Sequence, residues 1–349
     1  MRRCLELAAM GRGNTSPNPM VGSVIVYQGK IIGEGYHISY GQPHAEVNAV
    51  NAVEDKSLLK DSTIYVNLEP CAHFGKTPPC ADMIARHQIP RVVIGTPDPN
   101  PLVYGKGIEI LRQAGCEVIS GILADECEEL NKRFFVFHRF QRPYIILKWA
   151  ETADGFIDKH RSKDEAPEWI TNHASRILVH KWRSEEQAIM IGTNTALMDN
   201  PRLNVREWSG KDPIRIVLDN HLRLPTSLHI FDGSVPTMVY TSEDPSLNIN
   251  NTQFVKVNFN IDVISSIMTH LFCNKILSII VEGGAKLTGS LLEKGFWDEA
   301  RVFKGKALFH RGIPAPELNL LPCSEKDIDG ISLKLFINNT NRLIDRLDT

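Results

Sequence analysis

Short β-branched runs alternate with helical patterns along nearly the whole chain, and one break divides that alternation in two. "VGSVIVY" (Val21 to Tyr27) and "IIGEGYH" (Ile31 to His37) flank "QGK" and read as a hairpin. "HAEVNAVNAV" opens a helix, "STIYVNL" is a strand, "CADMIARHQ" a helix, "RVVIGT" a strand, and "GIEILRQAG" a helix ending at Gly115. "CEVISGI" gives a further strand, and "ADECEELNKRFFVFHRF" reads as one long charged, amphipathic helix. This order predicts an α/β sandwich around a mostly parallel sheet.

The break falls at "RFQRPY", Arg139 to Tyr144, where the helix must stop before Pro143 and the strand "YIILKWA" begins. Beyond it "AIMIG", "IRIVLD", "TMVYTS", "LSIIVEGG", "EARVFKG" and "ISLKLFINN" read as strands with helices between several of them. Two α/β domains are therefore expected, 1–142 and 143–349, each of ordinary size. With 349 residues, each can bury its own core. No internal repeat or low-complexity tract is present, and "SLNINNTQ" reads as a loop.

Composition excludes several classes of function. A net charge of −2 and 7% aromatic residues argue against binding nucleic acid through bulk electrostatics and stacking. No run of apolar residues is long enough to span a membrane. "MRRCLELAAMGRG" lacks the apolar core of a signal peptide and reads as a helix. Seven scattered cysteines fit reduced thiols in a cytoplasm better than a disulfide framework.

Three of the chain's thiol and imidazole groups have zinc-ligand chemistry: His44, Cys71 and Cys80. Zinc takes such ligands, and a catalytic site leaves one of its four positions open. Glu46, two residues beyond His44, is free to face the attacking water. Pro78 and Pro79 sit where a helix would start, which puts Cys80 in a first turn whose N–H groups favour a thiolate. H-x-E followed by P-C-x-x-C marks the zinc deaminases. "HAE" and "PC" match, but eight residues separate Cys71 from Cys80. The cysteines could instead be buried apolar residues, a redox pair, or, with His73 as fourth ligand, a closed structural site. A structural site gives Glu46 no role, and C-x-x-C redox spacing is absent, so catalytic zinc is the favoured reading.

"TSPNPMVGSVIV", "GYHISYGQPHAEVNAV", "NLEPCAHFGKTPPC" and "DPNPLVYGKGIEILRQAG", in that order, resemble the deaminase half of the bifunctional riboflavin-biosynthesis deaminase–reductases. That family has the long cysteine spacing. The resemblance covers residues 1 to about 140 and implies a cytidine-deaminase-like α/β/α sandwich holding one zinc ion. The implied substrate is a diaminopyrimidinone carrying a ribosylamino 5′-phosphate, whose C2 amino group is replaced by oxygen. His44, Cys71 and Cys80 would hold zinc, and Glu46 would carry protons from water to the ring nitrogen and leaving ammonia. Asn18 would bond the pyrimidine edge. His37, His73 and Lys76 would meet the substrate's ribose and phosphate, and Asp98 and Asn100 would also contact substrate. Read alone, Asn18, Asp98 and Asn100 are equally turn formers, and His37, His73 and Lys76 ordinary surface groups.

"LSIIVEGGAKLTGSLLEKGF" runs from a strand through Gly283–Gly284 into a helix, a turn suited to a pyrophosphate but lacking the full dinucleotide fingerprint. With "LKWAETADGFI", "EWIT", "LVHKWRSEEQAIMIGTNTALMDNPRLNVR" and "WDEA" it resembles the reductase half of the same family over about residues 144–310. The implied fold is similar to dihydrofolate reductase, and the implied chemistry is NADPH-dependent reduction of ribosyl to ribityl. The NADPH site would comprise Ala150, Trp169, Thr195, Asp199, Asn220 and the run Gly284, Ala285, Lys286, Leu287, Thr288, Gly289 and Ser290. Arg183, Leu203, Arg206 and Glu282 would meet substrate, with both arginines shaped to fork a phosphate. Lys148 and Glu282 could position the sugar hydroxyls and assist proton transfer; a plain Lys–carboxylate pair is the alternative. Pro167 stands where many members carry a small residue that touches substrate, and it brings neither hydroxyl nor N–H. Residues after about 310 match no motif.

The expectation is thus a two-step, cytoplasmic enzyme acting on small pyrimidine ribose phosphates, away from nucleic acid and membrane. Reductases of this fold commonly pair, so a homo-oligomer is compatible. Two other readings stay open on sequence: a single-stranded nucleic-acid or nucleotide deaminase with an accessory domain, and a structural zinc module joined to a nucleotide-sensing domain.

Overall fold

A computed structural model describes residues 1–72, 78–162, 165–245 and 248–340. The chain forms two compact units, Met1–Arg142 and Pro143–Thr349.

In the first unit the order is α1 (Arg2–Ala9), β1 (Gly22–Tyr27), β2 (Lys30–Tyr36), α2 (Ala45–Ala52), β3 (Thr63–Leu68), α3 (Cys80–Arg86), β4 (Arg91–Thr96), α4 (Lys106–Gln113), β5 (Glu117–Ser120), α5 (Ala124–Leu130) and α6 (Lys132–Phe140). The hairpin closes through Gln28 and Gly29, both at positive φ, the two-residue turn that suits the twist of its strands. The five strands lie in the order β2-β1-β3-β4-β5. Strand β1 runs antiparallel to both neighbours, so only the β3-β4-β5 half is parallel, a correction to the mostly parallel expectation. The two-residue turn compels the β1–β2 part of this, since parallel neighbours need a long crossover.

Strand alternation sends Ile25, Ile64, Val66, Val92 and Ile94 to one face. There they pack on Ala49 and Val50 of α2, Ala81 and Ile84 of α3, and Leu111 of α4. Val24 points the other way, onto Cys4 and Leu7 of α1. Each residue of these sets is essentially buried, which stabilises the unit by about 1.5–3 kcal/mol per large side chain.

The single helix expected over 124–140 is two helices that break at Asn131. Asn131 turns its amide inward, accepting the N–H of Met20 at 2.8 Å and donating to its carbonyl at 2.9 Å. A side chain that satisfies distant backbone competes with continued helix at that point.

The second unit contains β6 (Tyr144–Glu151), β7 (Phe156–Asp158), α7 (His173–Glu185), β8 (Ala188–Gly192), α8 (Thr193–Asp199), β9 (Ile214–Leu218), β10 (Thr237–Thr241), β11 (Thr252–Lys256), α9 (Val263–Cys273), β12 (Ser278–Val281), α10 (Ala285–Glu293), β13 (Glu299–Lys304), β14 (Ile313–Pro314), β15 (Ser324–Ile328) and β16 (Ile331–Ile337). Its main sheet runs β11-β10-β9-β8-β12-β6-β13-β16-β15. It is parallel from β11 to β13 and antiparallel beyond. The motif-free tail therefore has a structural place, because β16 covers the edge of β13. Helices α9 and α10 pack Ile267, Met268, Leu271, Leu287 and Leu291 against Ile145, Leu147, Met190 and Val281. Among the described residues no helix is long and apolar enough to cross a membrane.

Candidate active sites

In the first unit, His44 is the N-cap of α2, Glu46 lies in that helix's first turn, and Cys71 follows β3. Cys80 is the first residue of α3, capped by Pro79. Proline is tolerated there because the leading N–H groups of a helix have no partner inside it. The freed N–H of Cys80 donates to Cys71 Sγ at 3.3 Å. His44 Nδ1 stands 3.6 Å from Cys71 Sγ and 3.4 Å from Cys80 Sγ, and the three ligand atoms all lie within 4.8 Å of one another. Zinc bonds of about 2.0–2.1 Å to nitrogen and about 2.3 Å to sulfur give a tetrahedral N···S edge of about 3.5 Å. Donor type and spacing both fit zinc.

Electrostatics agree. A hydrogen bond from the Cys80 thiol draws the Cys71 thiol down to about 4, so the pair readily carries a thiolate. Burial pushes the Glu46 carboxyl up to about 7, and the Cys71 charge adds to the rise. Glu46 is fully enclosed beside the Cys80 thiol.

Asn18 and His37 join this cluster. His37 Nδ1 faces the Pro43 carbonyl at 3.1 Å, and its Nε2 faces Asn18 Nδ2 at 3.1 Å. The carbonyl requires Nδ1–H, so Nε2 accepts from the Asn18 amide, whose oxygen has no partner among the described residues. The His37 ring packs edge-on to His44, with 5.4 Å between centroids. Burial holds His37 below the ordinary histidine value, in keeping with the neutral form.

Asp98 and Asn100 do form turns: Asp98 Oδ1 accepts the Asn100 N–H at 2.8 Å, and Asn100 Oδ1 that of Leu102 at 3.1 Å. Burial pushes the Asp98 carboxyl up to about 7. His73 and Lys76 lie outside the described residues. Sequence reasoning missed two buried asparagines, Asn67 and Asn131. Both donate to the Met20 carbonyl and so fix the segment that follows Asn18. Asn67 Oδ1 also accepts the Gly22 N–H. A polar residue at a buried strand position, as in "YVNLE", was the available signal.

In the second unit, Lys148 on β6, Arg183 on α7 and Glu282 just after β12 converge. Arg183 Nε and Nη2 donate to the two Glu282 oxygens at 2.8 and 2.9 Å, and Lys148 Nζ lies 3.8 Å from Glu282 Oε2. Burial pushes the Glu282 carboxyl up, but the Arg183 and Lys148 charges outweigh it and hold it at about 2. Burial drives the Lys148 ammonium below its ordinary value, against the pull of Glu282. The Arg183 fork, expected on a phosphate, closes instead on Glu282, and its Nη1 donates to the Asn204 carbonyl at 3.1 Å. Arg206 is exposed; its N–H donates to His180 Nδ1 at 3.3 Å, and its Nη1 reaches Asn204 Oδ1 at 3.4 Å. The Leu203 side chain is buried, which leaves only its backbone, at φ 54°, to meet a ligand.

Gly283 and Gly284 shape the cofactor turn for different reasons. A Cβ on Gly283 would stand 2.8 Å from Ile191 Cα, so the strand end admits no side chain. Gly284 has φ 66° and caps α10. Gly283→Ala is expected to destabilise this unit by about 1–3 kcal/mol and to impair reduction while sparing deamination, as read by urea denaturation and separate assays. Thr195 Oγ1 would lie 3.1 Å from a Gly284 Cβ, which places it at this turn.

Leu287 and Thr288 bury their side chains, so Gly284, Ala285, Lys286, Gly289 and Ser290 make up the accessible part of the run. Asn220 Oδ1 is buried with no partner among the described residues, an open acceptor for a ligand donor. Ala150 lies on β6. Trp169 is 61% exposed, with the Arg176 guanidinium 5.0 Å from its ring centre, and Pro167 is exposed beside it. Asp199 is paired with Arg161. An orphaned acceptor and an open glycine turn at a helix start fit a nucleotide cofactor.

The two sites define a zinc-dependent deaminase unit of the cytidine deaminase class, followed by an α/β reductase unit. Family models agree. Residues 1–96 match the cytidine and deoxycytidylate deaminase zinc-binding region, and residues 143–308 match the RibD C-terminal domain. The chain is 41% identical over 332 residues to the riboflavin biosynthesis protein RibD of Aquifex aeolicus, covering 93% of this chain and 91% of that protein. To RibD of Escherichia coli strain K12 it is 37% identical, covering 96% and 94%. The crystal structure of the diaminohydroxyphosphoribosylaminopyrimidine deaminase/5-amino-6-(5-phosphoribosylamino)uracil reductase of Thermotoga maritima superposes with a TM-score of 0.87 at 34% identity, covering 97% of each chain. Acinetobacter baumannii RibD gives 0.88 at 33%, covering 96% of this chain and 97% of that one. The chain belongs to the bifunctional deaminase–reductase family of riboflavin biosynthesis.

Proposed function

We propose that the first unit deaminates 2,5-diamino-6-ribosylamino-4(3H)-pyrimidinone 5′-phosphate and that the second reduces the deaminated product's ribosyl group to ribityl. The observation that carries the reading is the His44, Cys71 and Cys80 donor triangle with buried, protonatable Glu46 beside it. His44 Nδ1 and the two cysteine sulfurs hold zinc, which supplies Lewis-acid activation of water when bound. Glu46 accepts a proton from the attacking water and delivers protons to the ring nitrogen and the departing ammonia. Asn18 presents its free amide oxygen to a ring N–H, an orientation set by His37. Asp98 and Asn100 contact the substrate, and His73 and Lys76 offer hydrogen bonds and positive charge to its ribose and phosphate.

In the second unit NADPH supplies the hydride when bound. Asn220, the open residues of the 284–290 run, Thr195, Ala150 and Trp169 hold it. Arg206 takes the substrate phosphate. Arg183 fixes Glu282, and Lys148 with Glu282 orients the sugar hydroxyls and carries the proton that ring opening needs. Pro167, exposed beside Trp169, brings no hydroxyl or N–H to the substrate and leaves recognition there to its neighbours. The enzyme works on small pyrimidines and not nucleic acid, in the cytoplasm, and is compatible with a homo-oligomer.

Mass spectrometry after incubation with the pyrimidinone, with and without NADPH, tests the reading. Deamination is expected without cofactor, and reduction only with it; an untouched pyrimidinone sinks the proposal. Cys80→Ser separates the sites. Zinc and deamination should fall by more than the about 10–100-fold that losing an outer-shell partner costs, while reduction of supplied deaminated substrate stays near normal. An equal loss of both activities would show that the sites are not independent.

A further inference from the structure

We propose that Glu69 is a positioning residue for deamination, holding the loop that carries Asp98 and Asn100 against the segment that carries Cys71. The inference rests on the reading of Asp98 and Asn100 as substrate contacts. Glu69 begins the "EPC" triplet and is 3% exposed. Its Oε2 accepts the N–H of Asp98 at 3.2 Å and of Gly105 at 3.0 Å. Its Oε1 accepts the N–H of Gly107 at 2.9 Å and of Ile108 at 3.3 Å. One carboxylate thus closes both ends of the 98–107 loop.

The "GKG" of Gly105 to Gly107 at the start of α4 has the look of an anion cradle, and the protein's own carboxylate fills it. Backbone N–H groups at a helix start favour negative charge, which compensates for burying this one. A Cβ on Gly107 would stand 2.1 Å from the Pro70 carbonyl oxygen, so the helix start rests directly on the residue before Cys71. Gly105 has φ 74°. The Glu69 N–H in turn donates to Thr96, at the end of β4. Asp98 therefore takes its place from Glu69, two residues from a zinc ligand, yet Glu69 itself is bonded only to backbone among the described residues.

Glu69→Gln is the test, in the zinc-loaded full-length enzyme. An amide keeps one acceptor oxygen and must turn N–H groups against the other pair of donors. KM for the pyrimidinone should rise about tenfold with kcat within about threefold, a loss of binding and not of chemistry. Zinc content and reduction should be unchanged, and amide exchange should quicken at Gly105 or at Gly107 and Ile108. Glu69→Asp, which keeps the charge, should fall between. Asp98→Asn combined with Glu69→Gln should cost less than the two single effects added together, because both weaken the Asp98 contact.

An unchanged KM, fully additive effects, or zinc lost together with kcat would overturn the proposal. So would a collapsed deaminase unit with intact reduction in both Glu69 variants, which would make the residue a fold determinant only. If Asp98→Asn itself leaves KM unchanged, the substrate-contact reading fails. If Asp98→Asn raises KM and Glu69→Gln does not, only the positioning inference fails.

Discussion

Glu46→Gln is expected to lower deamination by about 10²–10⁴-fold, the range general acid–base catalysis contributes, while zinc stays bound. The reason is local. Glutamine has the same shape and fills the same buried space, but it can neither take a proton from water nor hand one to a ring nitrogen. The ligands His44, Cys71 and Cys80 are untouched, so metal content measured on purified protein should not change. Reduction of supplied deaminated substrate is the internal control and should remain at wild-type rate. Deamination within tenfold of wild type would remove Glu46 from the proton path. Loss of zinc would make Glu46 part of what holds the metal and not only of the proton path.

Glu282→Gln is expected to cost reduction about 10²-fold or more and to destabilise the second unit by about 3–5 kcal/mol, the usual penalty for breaking a buried ion pair from one side. Arg183 and Lys148 would remain enclosed with no counter-charge between them. Adding Lys148→Met to Glu282→Gln should recover part of the stability, since it removes one stranded cation; no recovery would separate Lys148 from the pair.

Acid titration gives an independent check. The native Glu282 carboxyl sits at about 2, below its ordinary 4.5, so its stabilisation is fully present above the ordinary value and is lost as pH falls toward 2. The difference between wild-type and Glu282→Gln unfolding free energies should therefore shrink between about pH 4.5 and 2. A constant difference across that window would mean that charge pairing is not what Glu282 supplies.

Elements were more legible than partners. The β1–β2 hairpin follows from "QGK" between two alternating runs, and the start of α3 at Cys80 from the two prolines before it. These are local effects of backbone sterics and of burial at a period of 2 or 3.6. Asn131 shows the limit: its periodicity is that of a continuous helix, but a hydrogen bond to Met20, 111 residues away, breaks it. The site divides the same way. Residue types and spacing single out His44, Cys71 and Cys80 as candidate zinc ligands. Nothing local says that His44 offers Nδ1, or that His37 turns the Asn18 amide.

Side chains whose partners are remote were the least legible. Arg183 reads as a phosphate fork, but its partner is Glu282, 99 residues on, and the partner of Asp199 is Arg161. Glu69 carries no signal beyond being an acid beside Pro-Cys, and four backbone N–H groups from 29 to 39 residues downstream give it a role. The amino-acid sequence by itself determined most of the strand and helix order, the zinc-type donor set and the family, because these depend on local periodicity, residue chemistry and motif spacing. The tertiary structure alone decided which charge meets which, since a buried ionic or polar group is defined by the partner that compensates its desolvation, and chain order does not encode that partner.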